Sequence, residues 1–453
     1  MEKFDSKQLT ADLELALENS DFTFLESGVQ EFHPSDIADA LKRLPIPKIS
    51  KILRLLDNEY SGDVIMEFDE DIRESLLATL SPKEIAEEVI EQLDTDDAAD
   101  VLSDLSEEIQ EEVISFIEDA EHASDLVDLL TYDEDSAGGL MAKEMIRVNI
   151  NWNVNKAIRE MRRQAEDVDE VYTIYVVDDK NVLLGFLSLK KLLLTQSVRT
   201  PISKIYSDKD MVTVLASESS EDVAAVMEKY DMVALPVVDE NNVLLGRITI
   251  DDVVDVIKEE AEKDYQMASG ISESVESSDK VWVLTRARLP WLLIGLVGGV
   301  VVSRVIGVYE DQLQVNPQLA FFIPLIAAMG GNVGVQSSAI VVQGLANKSI
   351  DYQGIFGRLG KELLVALINA TICALVLLAY ILVFNSEAAL SYTVSISLFS
   401  VIIIAALFGT TIPLLLDKYK FDPALATGPF ITTANDVIGL IVYFIVARVM
   451  YGL

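Results

Sequence analysis

Cysteine and histidine are almost missing from this chain of 453 residues: Cys373 stands alone, and His33 and His122 are the only imidazoles. One cysteine allows no intrachain disulfide and no thiolate metal cluster. Two histidines exclude histidine-rich metal centres and most nucleophilic triads. Positive charge is scarce at the front, where residues 1–140 hold 9 Lys and Arg against 39 Asp and Glu. Such a surface repels phosphate backbones, so nucleic acid is not an expected partner. The opening stretch MEKFDSKQLTADLELAL has neither a basic start nor a continuous apolar run. It is therefore not a signal peptide, and the front portion is expected to stay cytosolic. No Walker A phrase or phosphorylated-aspartate motif occurs, so neither an ATP-driven pump nor an enzyme is expected.

What the chain has in excess is acid and hydrocarbon, in different places. Of the net charge of −39, residues 141–279 contribute 27 acidic against 16 basic groups, whereas from 280 onward 8 face 10. That last third carries five apolar segments, at about 289–308, 318–346, 362–385, 391–416 and 425–451, each long enough to cross a hydrocarbon layer of ~30 Å as a helix. Arg286 and Arg288 precede the first, Lys348, Arg358 and Lys361 follow the second, and Lys418 and Lys420 follow the fourth. The loops YEDQLQVNPQ and NSEAALS hold no Lys or Arg. The positive-inside rule then predicts a multi-pass protein of the cell's inner (plasma) membrane, N-terminus cytoplasmic and C-terminus outside, with lipid as an obligatory partner. Within the fifth segment stands Asp436, at a depth where a carboxylate costs roughly 2.5–3.5 kcal/mol.

Ahead of the membrane lies an internal repeat. YVVDDKNVLLGFLSLKKLLL (175–194) matches PVVDENNVLLGRITIDDVVD (236–255), and each copy reads as strand, Asp-rich turn, strand and helix, with a further helix before it. These β-α-β-β-α units resemble a tandem pair of CBS domains, which dock face to face. Residues 1–130 show helical periodicity in a loosely recurring phrase, PSDIADALKRL, PKEIAEEVIEQL and DDAADVLSDL, with Pro or Asp at the helix starts. Short helices of this kind stack into a superhelix. Between repeat and membrane, Asp252, Asp255, Glu259 and Glu262 recur at helical spacing and give one carboxylate-rich face. A solvated face is the ordinary outcome of such a run; bridging cations are the other reading.

Three phrases in order, YDEDSAGGLM (132–141), PLIAAMGGNVGVQSS (324–338) and DPALATGPFITTANDVIG (422–439), with the repeat between the first two, resemble the MgtE family of magnesium channels and transporters over the whole chain. The resemblance implies a multidomain fold: an all-α acidic superhelical N domain (1–131), an α/β tandem CBS pair (132–201 and 202–256), a long plug helix (257–284) and a five-helix transmembrane domain (285–453). It implies a homodimer with its ion path near the dimer axis, lined mainly by the second and fifth spans. Asp436 would be the pore carboxylate, with the Thr432 backbone, Asp422 and Asn332 along the path. Regulatory Mg²⁺ would bind at Asp63, Asp96, Asp100, the Gly139 carbonyl, Glu221, Asp231, Asp252, Asp255, Glu260 and Asp264. Two positions depart from the family pattern: Lys263 replaces an expected acid, and Gly428 replaces an expected pore-lining Asn.

The chemistry suits Mg²⁺, which takes six oxygens and sheds water reluctantly, so a few acceptors facing a hydrated ion serve better than a tight cage. Two facing Asp436 carboxylates repel unless a divalent ion lies between them. The other reading of Asp436 is an interhelical hydrogen bond with Asn332 or Asn369. Asn332 and Gln336 can hold the ion's water or serve as packing glue, and Thr410 and Thr411 are expected to bond back within their helix. In GRITIDD, Gly246, Thr249 and Asp252 resemble a ribose-binding phrase of CBS domains, so a nucleotide such as ATP is one expected ligand; a helix cap by Thr249 is the other. The expected function is Mg²⁺-selective passive uptake gated by cytosolic Mg²⁺. An ion-coupled Mn²⁺ or Co²⁺ transporter and a membrane-anchored CBS sensor are the alternatives.

Overall fold

The computed structural model describes residues 6–19, 23–165, 168, 171–209, 211–272, 275, 280–346, 355–384, 388–423 and 428–452. Lys348 and residues 385–387 and 424–427, which belong to segments considered above, lie outside the described residues. The chain forms two compact units, Met1–Lys258 and Glu259–Leu453.

The first unit begins with short helices. The repeated phrase falls on Pro34–Leu41, Pro82–Glu88 and Thr95–Ser103. Pro82 fits the first turn, where no N–H is needed, and Ser81 with Glu84 closes a reciprocal cap: the Glu84 N–H donates to Ser81 Oγ (3.3 Å) and the Ser81 N–H to Glu84 Oε2 (2.7 Å). Buried Ile37, Leu41, Ile85, Val101 and Leu102 join one core that continues through Met141 into Leu235, Ile248 and Val253 of the second repeat. The acidic helices thus pack on one CBS domain rather than forming a separate globule.

Both repeats have the expected β-α-β-β-α order. The first comprises β1 (Ile146–Asn149), helix Val154–Gln164, β2 (Ile174–Val177), β3 (Leu183–Leu187) and helix Leu189–Leu194. The second comprises β4 (Val214–Leu215), helix Ser220–Tyr230, β5 (Ala234–Val238), β6 (Leu244–Thr249) and helix Ile250–Ala268. In each sheet the first pair of strands is parallel and the second antiparallel. Asp178 and Asp239 fix the hairpins by accepting backbone N–H bonds two and four residues on. The hairpins meet: the Leu183 N–H donates to the Asn242 carbonyl and the Leu244 N–H to that of Asn181, each at 2.9 Å. Tyr175, Val177 and Leu183 pack there on Val238 and Leu244.

The YDEDSAGGLM phrase is a strap laid along the second repeat. The Ser220 N–H donates to the Asp135 carbonyl (2.9 Å), the Ala137 N–H to Glu218 (2.7 Å) and the Gly138 N–H to Ala216 (2.9 Å). Ala142 and Arg247 exchange two backbone bonds, at 2.8 and 2.9 Å. A side chain at Gly139 would meet the Asp133 carbonyl at 2.5 Å, so the strap can fold back on itself only with glycine there.

The second unit contains, among the described residues, five helices long and apolar enough to span a membrane: Val281–Val308, Ile323–Ala346, Ile355–Phe384, Ala388–Lys418 and Pro429–Tyr451, spans one to five. Span four packs on spans two, three and five, and span five also on one and two. Small residues permit this: Gly409 of span four lies against the Gly334 carbonyl of span two, and Gly298 of span one against the Thr433 methyl of span five. The plug helix expected over 257–284 differs in the structure. The helix starts earlier, at Ile250, and stops at Ala268, because the chain turns at Gly270 (φ 81°) before span one begins at Val281.

Backbone cannot yield to a new side chain as a flexible neighbour can. Gly409→Val is therefore expected to cost more than ~3 kcal/mol and to abolish monodisperse protein on size-exclusion chromatography in detergent, whereas Gly307→Ala, with open space around it, leaves the profile unchanged.

Candidate functional site

In the first unit the site is a crowd of carboxylates at the start of two helices. Asp96, Asp97 and Asp100 ride on Thr95–Ser103, and Asp252 opens Ile250–Ala268. Asp252 is fixed by Thr249, whose N–H (3.1 Å) and hydroxyl (2.6 Å) both donate to Oδ2, which leaves Oδ1 to face other groups. Burial first, then the charges of Asp97, Asp252 and Asp94, raise the Asp96 pKa well above the ordinary value. Burial and Asp252 push Asp97 up to about 7. Asp100 keeps an exposed surface, but protein packed around the rest of it pushes it up to about 6 against the opposing pull of Arg73. Burial raises Asp252 too, partly offset by its bonds from Thr249. Each carboxylate is thus held where ionisation is at most partly compensated, the situation a divalent cation relieves.

The wider set of expected ligands is only partly gathered. Asp63, on Asn58–Met66, and Glu221 and Asp231, at the two ends of Ser220–Tyr230, are exposed, as is Asp255. Asp231 ends its helix in the left-handed region, φ 51°. Among the described residues no three acidic, His or Cys side chains converge closely enough to hold a metal ion. Of the nucleotide phrase, Gly246 is covered by the Ala142 carbonyl, which a side chain there would meet at 2.6 Å, and Thr249 is bonded to Asp252.

In the second unit two features matter. At the end of the connecting helix, burial, Asp422 and Glu260 raise the Asp264 pKa while Lys263 lowers it. Lys263 Nζ bonds Glu260 Oε1 at 2.9 Å, so the unexpected lysine is a counter-charge inside this acidic group. The same helix end touches span five: a side chain at Gly428 would meet the Ala268 carbonyl at 2.6 Å, and one at Gly270 would meet Pro429 at 2.7 Å. Gly428 has φ 56° and ψ −130°, open only to glycine, and its carbonyl accepts the Thr432 N–H (3.1 Å) and hydroxyl (2.9 Å). An asparagine at 428 would thus be strained.

Two turns on, half-buried Asp436 lies beside span two. A side chain at Gly331 would meet Thr432 at 3.0 Å and Asp436 Oδ1 at 3.7 Å. Among the described residues Asp436 accepts no hydrogen bond from Asn332 or Asn369, so the interhelical bond considered above is not formed. Asn332 and Gln336 are exposed on span two. Asn435 is buried, and neither its amide oxygen nor its nitrogen has a partner among the described residues. Thr411 does bond back, to Leu407 at 2.7 Å, but Thr410 has no partner there. Sequence reading missed Glu362, which lies inside span three and accepts the hydroxyl of buried Ser337 of span two at 2.6 Å.

Comparison with known proteins bears on the whole chain. Residues 323–446 match a family described as divalent cation transporter, 32–135 an MgtE intracellular N domain, and 137–196 and 202–259 CBS domains. The magnesium transporter MgtE of Bacillus subtilis is 33% identical over 70% of this chain and 70% of its own length. That of Thermus thermophilus is 36% identical over 70% of this chain and 71% of its own. A crystal structure of the cytosolic domain of the Mg²⁺ channel MgtE in complex with ATP is 34% identical, with a TM-score of 0.51, over 55% of this chain and 99% of that one.

Because the cluster's folded pKa values lie above the ordinary carboxylate value, folded protein holds the extra protons. The stability they bring is complete below the unfolded pKa and is lost as pH rises through about 6 to 7. In full-length protein without divalent ions, protease resistance of residues 1–258 should fall several-fold from pH 5.5 to 8, and Mg²⁺ at pH 8 should restore it. Limited proteolysis read by mass spectrometry checks both.

Proposed function

This chain belongs to the MgtE family of magnesium transporters, and we propose that it conducts Mg²⁺ passively into the cell through a homodimeric pore with Asp436 as its ion station. The observation that carries this reading is a half-buried carboxylate in mid-span, without a protein partner among the described residues, lying against a glycine of span two. Such a group is costly to keep unless a cation visits it. A hydrated Mg²⁺ between two copies would neutralise both, with water-mediated contacts to Asn332 and to the Thr432 carbonyl, and with Asp422 near the cytosolic entrance.

Gating follows from the first unit. Cytosolic Mg²⁺ bound among Asp96, Asp100 and Asp252, with Asp63, the Gly139 carbonyl, Glu221, Asp231 and Asp255 as further ligands of the first unit, favours its compact state; as Mg²⁺ falls, uncompensated charge favours separation, and Glu260 and Asp264 are proposed as ligands within the second unit. The helix Ile250–Ala268 transmits the change, since its end meets Gly428 and Pro429 at the start of the pore helix. ATP, bound by the solved cytosolic relative, is a second ligand of the CBS pair here, with the Oδ1 atom of Asp252 free to accept from a ribose hydroxyl and Thr249 and Gly246 beside it. Positive loops support a cytoplasmic N-terminus and an outer C-terminus.

Mg²⁺ flux into proteoliposomes should fall at least about tenfold in Asp436→Ala and remain strongly reduced in Asp436→Asn, which keeps the size and removes the charge. Unchanged flux in Asp436→Ala would remove Asp436 from the path. Mn²⁺ or Co²⁺ flux equal to that of Mg²⁺, dependent on a second ion gradient, would favour a coupled divalent transporter instead.

A further inference from the structure

Asp96 and Asp252 lie close enough to repel each other, and the segments that carry them are tied together by bonds that involve no metal. Thr95, buried and at the very start of Thr95–Ser103, donates its hydroxyl (2.7 Å) and N–H (3.3 Å) to Glu144 Oε2. The Lys143 N–H in turn donates to Thr95 Oγ1 at 2.8 Å, and Lys143 Nζ bonds Asp128 Oδ2 at 2.6 Å. Lys143 and Glu144 thus straddle two N-domain helices, Thr95–Ser103 and Ala120–Leu129. One residue back, Ala142 is paired to Arg247 of β6, and β6 ends at Thr249, which holds Asp252. The circuit closes: Asp96, Thr95, Glu144, Ala142, Arg247, Thr249, Asp252.

We infer that Thr95 and Glu144 form a metal-independent latch across the junction of the N domain and the CBS pair, which positions Asp96 and Asp100 opposite Asp252 and so sets the Mg²⁺ concentration at which the cytosolic part closes. The inference rests on the gating reading above. Without the latch, the apolar core and the strap would still join the domains, but bound cations would have to set the alignment of the carboxylates. With it, the acidic faces are already aligned, and the ions need only offset their repulsion. Lys143 supports this role by neutralising the charge that Glu144 adds beside Asp125 and Asp128. Thr95 and Glu144 are positioning residues: their oxygens are engaged with each other rather than aimed into the cluster.

The test is an Mg²⁺ titration of full-length protein in detergent, read by limited proteolysis of the N domain. Thr95→Val keeps the shape and removes the hydroxyl. Losing a hydrogen bond to a charged group weakens closure about tenfold, the equivalent of ~1.4 kcal/mol. Since several ions share the closure, the midpoint should rise about two- to fourfold. Glu144→Ala should do the same by another route, and Thr95→Ser, which restores the hydroxyl, should return the midpoint to within about 1.5-fold of wild type. A Thr95→Val midpoint equal to wild type would overturn the latch, as would a Thr95→Ser protein as shifted as Thr95→Val. A wild type with no Mg²⁺-dependent protection would overturn the gating reading and this inference with it.

Discussion

If Asp96, Asp97, Asp100 and Asp252 were all ionised without counter-charge, their repulsion would drive the N domain away from the second CBS repeat, and most of the first unit can be understood as what resists that. The resistance is apolar and local. One core runs from Ile37 and Leu41 through Val101 and Met141 to Ile248 and Val253, so separating the domains exposes hydrocarbon to water. The strap of residues 133–142 adds backbone pairing along the second repeat. Neither force depends on ions, whereas the repulsion does. Two opposed terms, only one of them sensitive to a divalent cation, are what a cation-controlled equilibrium requires.

The second unit meets the same electrostatic problem in a harsher solvent. Span five carries Asp436 at a depth where ionisation is costly, and the glycines of span two let it approach closely: Gly330 lies near Val401 of span four and the Asn435 carbonyl, Gly331 near Thr432 and Asp436, and Gly334 against the Asn435 amide. Larger residues at these points would push the helices apart and carry the carboxylate away from span two. Buried Tyr443, whose hydroxyl donates to the Leu319 carbonyl at 2.9 Å, anchors the far part of span five. Close packing around a carboxylate without a protein partner makes sense if the partner is the cargo.

How much of this was legible in the sequence depended on how far apart the contributing residues lie. Local features read well. The five spans, the doubled β-α-β-β-α unit and the helix starts at Pro34, Pro82 and Thr95 follow from periodicity, composition and capping within a few residues. Asp436 is conspicuous because hydrocarbon surrounds it in the chain. Contacts between distant segments did not read. Thr95 and Glu144 are 49 positions apart, and nothing in either neighbourhood announces the pair. Glu362 looked like the edge of a span until its bond to Ser337 placed it within the packing. Gly428 looked like a missing ligand, and only its backbone angles show that a turn there needs glycine. A helix start near Thr249 was legible, but its continuation without a break into the connecting helix as far as Ala268 was not.

Asp252, held by Thr249, belongs to the helix that leads towards the membrane-spanning segments. The helix whose first turn holds Asp252 is the helix whose last residue, Ala268, meets Gly428. A helix is stiff along its axis, because each turn is braced by hydrogen bonds to the next. Under the gating proposed above, a change in where its first turn sits would be carried along it. Gly270 and Gly428, both with positive φ, are the turns at that end, and Pro429 begins the span that bears Asp436. Lys263, bonded to Glu260 on the same helix, lessens the negative charge beside Asp264.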